Sequence, residues 1–275
     1  MITFNYLGHI GELGNQMFQY AALRGICEYH GYDYTLPTNH QKVIFLYDCF
    51  KISNLDKKLD HWSKFERKFP VHPNFDEDYL KNFPSGYDVF GYFQTEKYFK
   101  HVENVIRKEY TFHDHIIKKS EEYFNKLFFI DDVISLHIRR NDFLNYKNND
   151  SIMRNLPISY YEKCLGCFES FLPVFIFSDD IEWCKKQEIF SGPRFKFSES
   201  KDMYVDLCLM TMCKYHIIAN SSFSWWGSWL SKSKKTLAPR EWYAKKYVKP
   251  SPWFPYPEDA EWSSKDICPE DWILV

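Results

Sequence analysis

The chain has 275 residues with 35 Lys and Arg against 37 Asp and Glu, a formal charge of −2, and is 45% hydrophobic and 20% aromatic. This length suits one large domain or two small ones, and the balance of apolar and charged residues excludes a disordered chain. Near neutrality argues against a dedicated nucleic-acid binder, which concentrates Lys and Arg, while the aromatic residues suit core filling first and sugar-binding surfaces second.

Residues 2–6 alternate as a short strand, and Gly8-His9-Ile10-Gly11-Glu12-Leu13-Gly14 follows as a glycine-rich turn. A helix is predicted from an Asn15 N-cap to a stop at Gly31, with Met17, Phe18, Ala21 and Ala22 sharing a face, and residues 32–36 read as a second strand. Residues 38–88, with Pro70, Pro73 and Pro84, give no firm element. Helical patterns return at 96–108 and 113–126, and 132–138 is a strand. Helix and strand then alternate: helix 159–169, strand 174–177, helix 181–188, strand 194–197, helix 202–214, strand 216–219, a short helix from Phe223, and strand 236–238. Such alternation implies parallel pairing with right-handed crossovers, hence an α/β sandwich. The domain boundary is expected near 125–132, giving residues 1–130 and 131–275, with the final tail free to pack back on the first domain.

No run supplies the roughly 20 apolar residues of a membrane span, since residues 217–233 are broken by Asn220, Lys232 and several serines. The N-terminus lacks the basic and apolar regions of a signal peptide, so the eight cysteines are expected as reduced thiols in a cytoplasmic protein. Cys164-x-x-Cys167 has no second pair at zinc-ligand spacing.

Ligands of open parallel sheets bind beyond the carboxyl ends of strands, which selects four segments. His137-Ile138-Arg139-Arg140-Asn141-Asp142 ends the strand opening the second half, and alternation puts His137 and Arg139 on one face, Ile138 and Arg140 on the other. An arginine there offers a planar fork of donors to phosphate oxygens, and Asp142 suits orienting an arginine or accepting a hydroxyl proton. Ser178-Asp179-Asp180 follows the next strand and reads equally as a helix cap or a site. Asn220-Ser221-Ser222-Phe223-Ser224 opens a helix, where free amides bind anions, while Trp225, Trp226 and Trp229 read as core. The Gly8–Gly14 loop with Asn15 and Gln16 fits neither the dinucleotide nor the P-loop glycine pattern.

Three stretches, Gly11-Glu12-Leu13-Gly14-Asn15-Gln16-Met17-Phe18-Gln19-Tyr20-Ala21, His137–Asp142 and Asn220–Gly227, together resemble the inverting α-1,2-fucosyltransferases of glycosyltransferase family 11. The H-x-R-R-x-D element is shared with α-1,6- and protein O-fucosyltransferases, so it marks fucosyl transfer more than linkage, and Glu12 departs from the glycine, small or basic residue common in that turn. The resemblance implies a GT-B fold of two facing Rossmann-like domains, the C-terminal one holding GDP-β-L-fucose and the N-terminal one on the acceptor side. It implies Arg139 on the diphosphate, with Arg140 and Gly14 also on the donor, and His137 beside the nucleotide. Asp206 is implied on the guanine edge, Ser178, Asp179 and Asp180 near the nucleoside, and Asn220, Ser221, Ser222, Phe223 and Ser224 near the phosphates. Arg139, Asp142, Asn15 and Gln16 are the implied catalytic set, with Asp142 and Glu12 as base candidates. The implied acceptor is a terminal β-galactose of a surface glycan.

Asp76-Glu77-Asp78 matches the Asp-x-Asp string of metal-dependent transferases but reads as a solvated loop, so no metal or other cofactor is expected. Residues 232–249 carry seven basic residues against Glu241, a solvated face with peripheral contact to the inner membrane surface as its alternative. Other linkages (α-1,3 or α-1,6) and a noncatalytic glycan-binding protein are the rival readings, the last leaving the His137–Asp142 cluster without a purpose.

Overall fold

Helices alternating with strands build two all-parallel sheets in the computed structural model, which describes residues 1–36, 44–52, 65–70, 74–130, 132–140, 153, 155–244 and 262–275. The chain divides into Met1–His113 with Lys246–Pro269, and Asp114–Lys245 with Glu270–Val275. No helix among the described residues is long and apolar enough to cross a membrane, and all eight cysteines are free thiols.

In the first unit the order is β1 (Ile2–Thr3), α1 (Leu13–His30), β2 (Tyr34–Thr35), α2 (Phe45–Cys49), β3 (Glu66–Lys68), α3 (Glu77–Lys81), β4 (Tyr87–Val89) and α4 (Glu103–Glu109). The strands pair in the order β2-β1-β4-β3. The first strand is shorter than its alternation implied because the chain turns at once: the amide of Leu7 donates to the Phe4 carbonyl at 3.2 Å. Helix α1 begins at Leu13, not at an Asn15 cap; Glu12 holds the capping position and Asn15 lies inside the first turn. The helix is buried on nearly every side, as befits the centre of a layered unit. One close approach fixes its neighbour, because a Cβ on Gly25 would sit 1.9 Å from the Tyr98 carbonyl oxygen. A buried ion pair, Arg24 Nε to Glu109 Oε2 at 3.1 Å with the Tyr20 hydroxyl donating to the same oxygen at 2.9 Å, ties α1 to the end of α4. The elements within 38–88 escape a periodicity reading because each is short, and β3, Glu-Arg-Lys, is a charged edge strand.

In the second unit α5 (Asp114–Leu127) precedes β5 (Ile134–Ile138), α6 (Ile158–Leu165), β6 (Val174–Ser178), α7 (Ile181–Lys185), β7 (Phe195–Phe197), α8 (Met203–Met212), β8 (Tyr215–Ile217), α9 (Ser222–Leu230), β9 (Lys235–Ala238) and β10 (Ile273–Leu274). The sheet order is β10-β9-β8-β5-β6-β7. All five β5 residues are buried, as expected of a parallel strand covered on both faces. Ile134, Leu136 and Ile138 pack with Tyr160, Tyr161 and Leu165 of α6, whereas Phe175 on the opposite face of β6 meets Phe128 at 5.2 Å.

The boundary falls at His113/Asp114, ahead of the 125–132 expected. The apolar stripe of α5 (Ile116, Phe124) is buried, and its Ser120 hydroxyl lies 3.5 Å from the Val205 carbonyl of α8, so α5 belongs to the second unit. The tail divides. Residues 262–269 join the first unit, where Ser263 N donates to Asn74 Oδ1 at 3.0 Å and Lys97 pairs with Asp266, whereas β10 pairs with β9. Gly25→Ala adds a methyl against a backbone oxygen that cannot retreat; it is expected to destabilise the protein by about 1–3 kcal/mol despite alanine's better helix propensity, read as a lowered thermal midpoint.

Candidate functional site

Strand β5 sits between β6 and β8. The chain leaves it for β6 and β7 on one side and returns to β8 on the other, so the connections diverge at the carboxyl ends of β5 and β8. A crevice for a ligand opens at such a reversal. Arg139 and Arg140 follow β5, and residues 218–222 follow β8 into α9.

Two carboxylates from the end of β6 hold both arginines. Asp179 Oδ2 lies 3.3 Å from Arg139 Nε, while Asp179 Oδ1 accepts from the Arg140 amide at 2.9 Å. Asp180 Oδ2 accepts from Arg140 Nε at 3.3 Å, and its Oδ1 caps α7 by accepting from Trp183 N at 3.2 Å. Asp180 N donates to Ser178 Oγ at 3.0 Å, which fixes the turn. Arg140 lies over the Trp183 ring, 3.7 Å from its centroid. Of the two readings of Ser178-Asp179-Asp180, the cap is present at Asp180, and the segment also braces the arginines. Trp183 carried no sequence signal beyond its place three residues after the cap.

His137 projects from the β5 face opposite Ile138, with its ring 5.9 Å from Phe223 at the start of α9. Burial, and the cation of Arg139 beside it, push its pKa down to about 3, so the ring is neutral near pH 7. Its Nδ1 is buried and has no hydrogen-bond partner among the described residues, which is uncommon for a buried polar atom. Ser221 holds the N-cap position of α9 without a side-chain cap bond, and the first-turn amides from Ser222 to Ser224 have no carbonyl within the helix to meet. Two predicted residues are bonded within the protein: Asn220 is buried with its amide donating to the Trp242 carbonyl at 3.0 Å, and the buried Ser224 hydroxyl lies 3.4 Å from the Ser221 carbonyl. Both shape the loop. Trp225, Trp226 and Trp229 are core residues, as expected.

Asp206 lies on α8, where the Ser198 hydroxyl after β7 donates to its Oδ1 at 2.5 Å. Burial, with a smaller contribution from Asp202, pushes its pKa up to about 7. Ser198 follows the strand expected at 194–197, and a lone serine there carries no signal of its own.

In the first unit Gly14 and Gln16 are buried in α1, and Asn15 Oδ1 accepts from Gln94 Nε2 at 2.7 Å. Gln94 follows β4, a strand absent from the sequence reading, which is why it was missed. Gly11 has φ +78°, and a Cβ there would lie 2.3 Å from Asn15 Nδ2, so the glycine makes room for that amide. At the end of β1, ahead of the glycine turn, Asn5 N donates to Asp88 at 2.8 Å, and burial pushes the Asp88 pKa up to about 7. Glu12 is exposed, and Asp142 lies outside the described residues. The solvated-loop reading of Asp76-Glu77-Asp78 is corrected, since Asp76 is buried and caps α3 by accepting from Tyr79 N at 2.9 Å.

The same fold occurs in solved fucosyltransferases: a crystal structure of POFUT1 in complex with GDP-fucose superposes with a TM-score of 0.55 at 13% identity, covering 86% of this chain and 97% of that one. The architecture is thus α/β of the GT-B type, with a Rossmann-like unit in each part of the chain. An α-1,2-colitosyltransferase of Escherichia coli is 31% identical over 96% of both chains. Galactoside α-(1,2)-fucosyltransferase 2 of Rattus norvegicus is 25% identical over 84% of this chain and 67% of its own length. The sequence model of glycosyl transferase family 11 matches residues 2–260, and this chain is a member of that family.

Proposed function

We propose that this glycosyltransferase moves L-fucose from GDP-β-L-fucose to the 2-hydroxyl of a terminal galactoside of a surface glycan, with inversion to an α-1,2 linkage. The observation that carries the reading is the pair of guanidinium groups braced by Asp179 and Asp180 at the carboxyl end of β5, next to the open first turn of α9.

Charge development dictates the roles. As the glycosidic bond breaks, negative charge accumulates on the β-phosphate of GDP and the fucose ring becomes oxocarbenium-like. Arg139, with side chain 24% exposed, and the first-turn amides of α9 stabilise that phosphate where the charge appears. Arg140, clamped by Asp180 and Trp183, holds the strand end in place. His137 meets the nucleotide as a neutral ring, and Asp206 accepts from guanine N1–H and the 2-amino group. The acceptor hydroxyl attacks from the face opposite GDP, with Asp142 or Glu12 as its base. Asn15, oriented by Gln94, positions sugar hydroxyls, while Gln16 supports the helix from the core. We also place the enzyme in the cytoplasm, where its eight free thiols stay reduced.

A second donor is favoured by one observation, the near full-length similarity to an α-1,2-colitosyltransferase. Colitose is fucose without its 3-hydroxyl, so GDP-linked colitose presents the same phosphates, nucleoside and reacting carbon. Competition between the two GDP-sugars, followed by NMR of the product linkage, separates these readings and tests the α-1,2 bond against α-1,3 or α-1,6.

Arg139→Ala is expected to fold and to lose about 10²–10³-fold in kcat/KM, the effect of removing a preorganised donor to a developing anion; near-normal turnover contradicts the role. Because Arg139 and the first-turn amides of α9 neutralise the departing phosphate, activity is expected to survive EDTA, and a loss restored by Mn²⁺ overturns this. With the Asp206 pKa near 7, the carboxyl is protonated below that value and accepts poorly from guanine. Affinity for GDP is expected to rise about tenfold from pH 6 to pH 8 in titration calorimetry, and Asp206→Asn to flatten the profile. A profile unchanged by the substitution contradicts the assignment.

A further inference from the structure

We propose that the amino-terminal edge of the six-stranded sheet, the edge opposite the arginine site, is a docking surface for an anionic phospholipid bilayer. The strands run parallel, so the segments entering them gather along one edge. Backbone hydrogen bonds join these entries: Val174 N to Arg194 O at 2.8 Å, Ile134 N to Pro173 O at 2.9 Å, Lys214 N to Val133 O at 3.2 Å and Lys234 N to Lys214 O at 2.8 Å. One strip therefore runs from Arg194 through residues 170–173 and then 129, 130, 132 and 133 to Lys214 and Lys234.

The strip carries the three most exposed large apolar side chains among the described residues, Phe129 at 97%, Phe171 at 75% and Ile130 at 52%. Single exposed apolar residues are ordinary, but three on adjoining entries form a patch that calls for a partner. Cations flank it. Lys214 Nζ and Lys234 Nζ lie 3.2 and 3.4 Å from the same Asp132 Oδ1, so one carboxylate faces two ammonium groups. Lys214, Lys232 and Lys234 line an open cleft of about 410 Å³. Lys235, over the Phe168 ring at 4.8 Å, and Arg194, whose Nη1 donates to the Ser170 carbonyl at 2.8 Å, complete the series. Among the described residues, Asp132, Glu169 and, on the segment entering β10, Glu270 and Asp271 are the carboxylates of this edge, four against these five cations.

Rings and an isoleucine beside an excess of cations match the chemistry of a bilayer interface, where apolar tips enter the headgroup boundary and ammonium groups meet phosphates. A second copy fits less well, because a two-fold contact would set the same cations against one another. Of the basic run 232–249, Lys232, Lys234 and Lys235 stand on this edge, and residues 245–249 lie outside those described. Docking through this edge leaves the carboxyl ends of β5 and β8 on the other edge of the sheet.

Sedimentation with vesicles tests this without any sugar substrate, so its result stands apart from the donor assignment. The intact protein is expected to pellet with vesicles of phosphatidylcholine and phosphatidylglycerol, to stay in solution with phosphatidylcholine alone, and to be released by salt. Phe129→Ser with Phe171→Ser, and separately Lys214→Glu with Lys234→Glu, are each expected to weaken binding about tenfold or more while keeping the wild-type unfolding midpoint. If one pair unfolds the protein, Lys232→Glu, which removes an exposed cation, is expected to weaken binding alone. Absence of binding to anionic vesicles at low salt overturns the proposal, as does binding unchanged in the folded variants. A dimer in light scattering that Phe129→Ser dissociates also overturns it, since a second copy then covers the patch.

Discussion

Two guanidinium groups on consecutive residues repel each other, and two consecutive carboxylates from the neighbouring strand meet them and offset that repulsion. The parallel register of β5 with β6 makes this possible by bringing Ile138 opposite Ser178, so the next residues of both strands emerge side by side. Asp179 grips the Arg139 side chain and the Arg140 backbone, and Asp180 joins Arg140 to the first turn of α7. Opposite charges at about 3 Å in a partly screened setting restrain the arginine fork more than they stabilise the fold. An anion arriving beside Arg139 meets a donor whose position is already set, the condition under which such a group favours a developing charge over the ground state.

Around that brace, charge and burial follow one logic. His137 sits beside a cation in a dry layer and is kept neutral, whereas Asp206 is kept partly protonated by the same lack of water. The first unit repeats the theme at its own strand reversal, between β1 and β4. There Asp88 organises the start of the glycine turn, and Gln94 holds Asn15 inside the first turn of α1. In both units polar groups cluster where strands diverge.

The legible parts of the sequence were those where one local rule governs several residues. Buried parallel strands such as β5 and β6 announce themselves as apolar runs, and the polar cluster at the end of β5 stands out against them. The tryptophans of α9 were readable as core for the same reason. Less legible were β3 and β4, whose three residues each hold their place by pairing and not by pattern. With β4 unseen, Gln94 had no strand end to mark it. The helix start at Leu13 and the role of Asp76 as a cap were set by tertiary packing that a single sequence does not display. The unit boundary moved for a similar reason, because α5 packs against a helix far along the chain.

A crystal structure of the GDP complex tests the central claim most directly. The β-phosphate is expected within about 3 Å of the Arg139 guanidinium and of amides in the first turn of α9. Nucleotide bound away from the carboxyl end of β5, with Arg139 still engaged by Asp179 and not by phosphate, would contradict it.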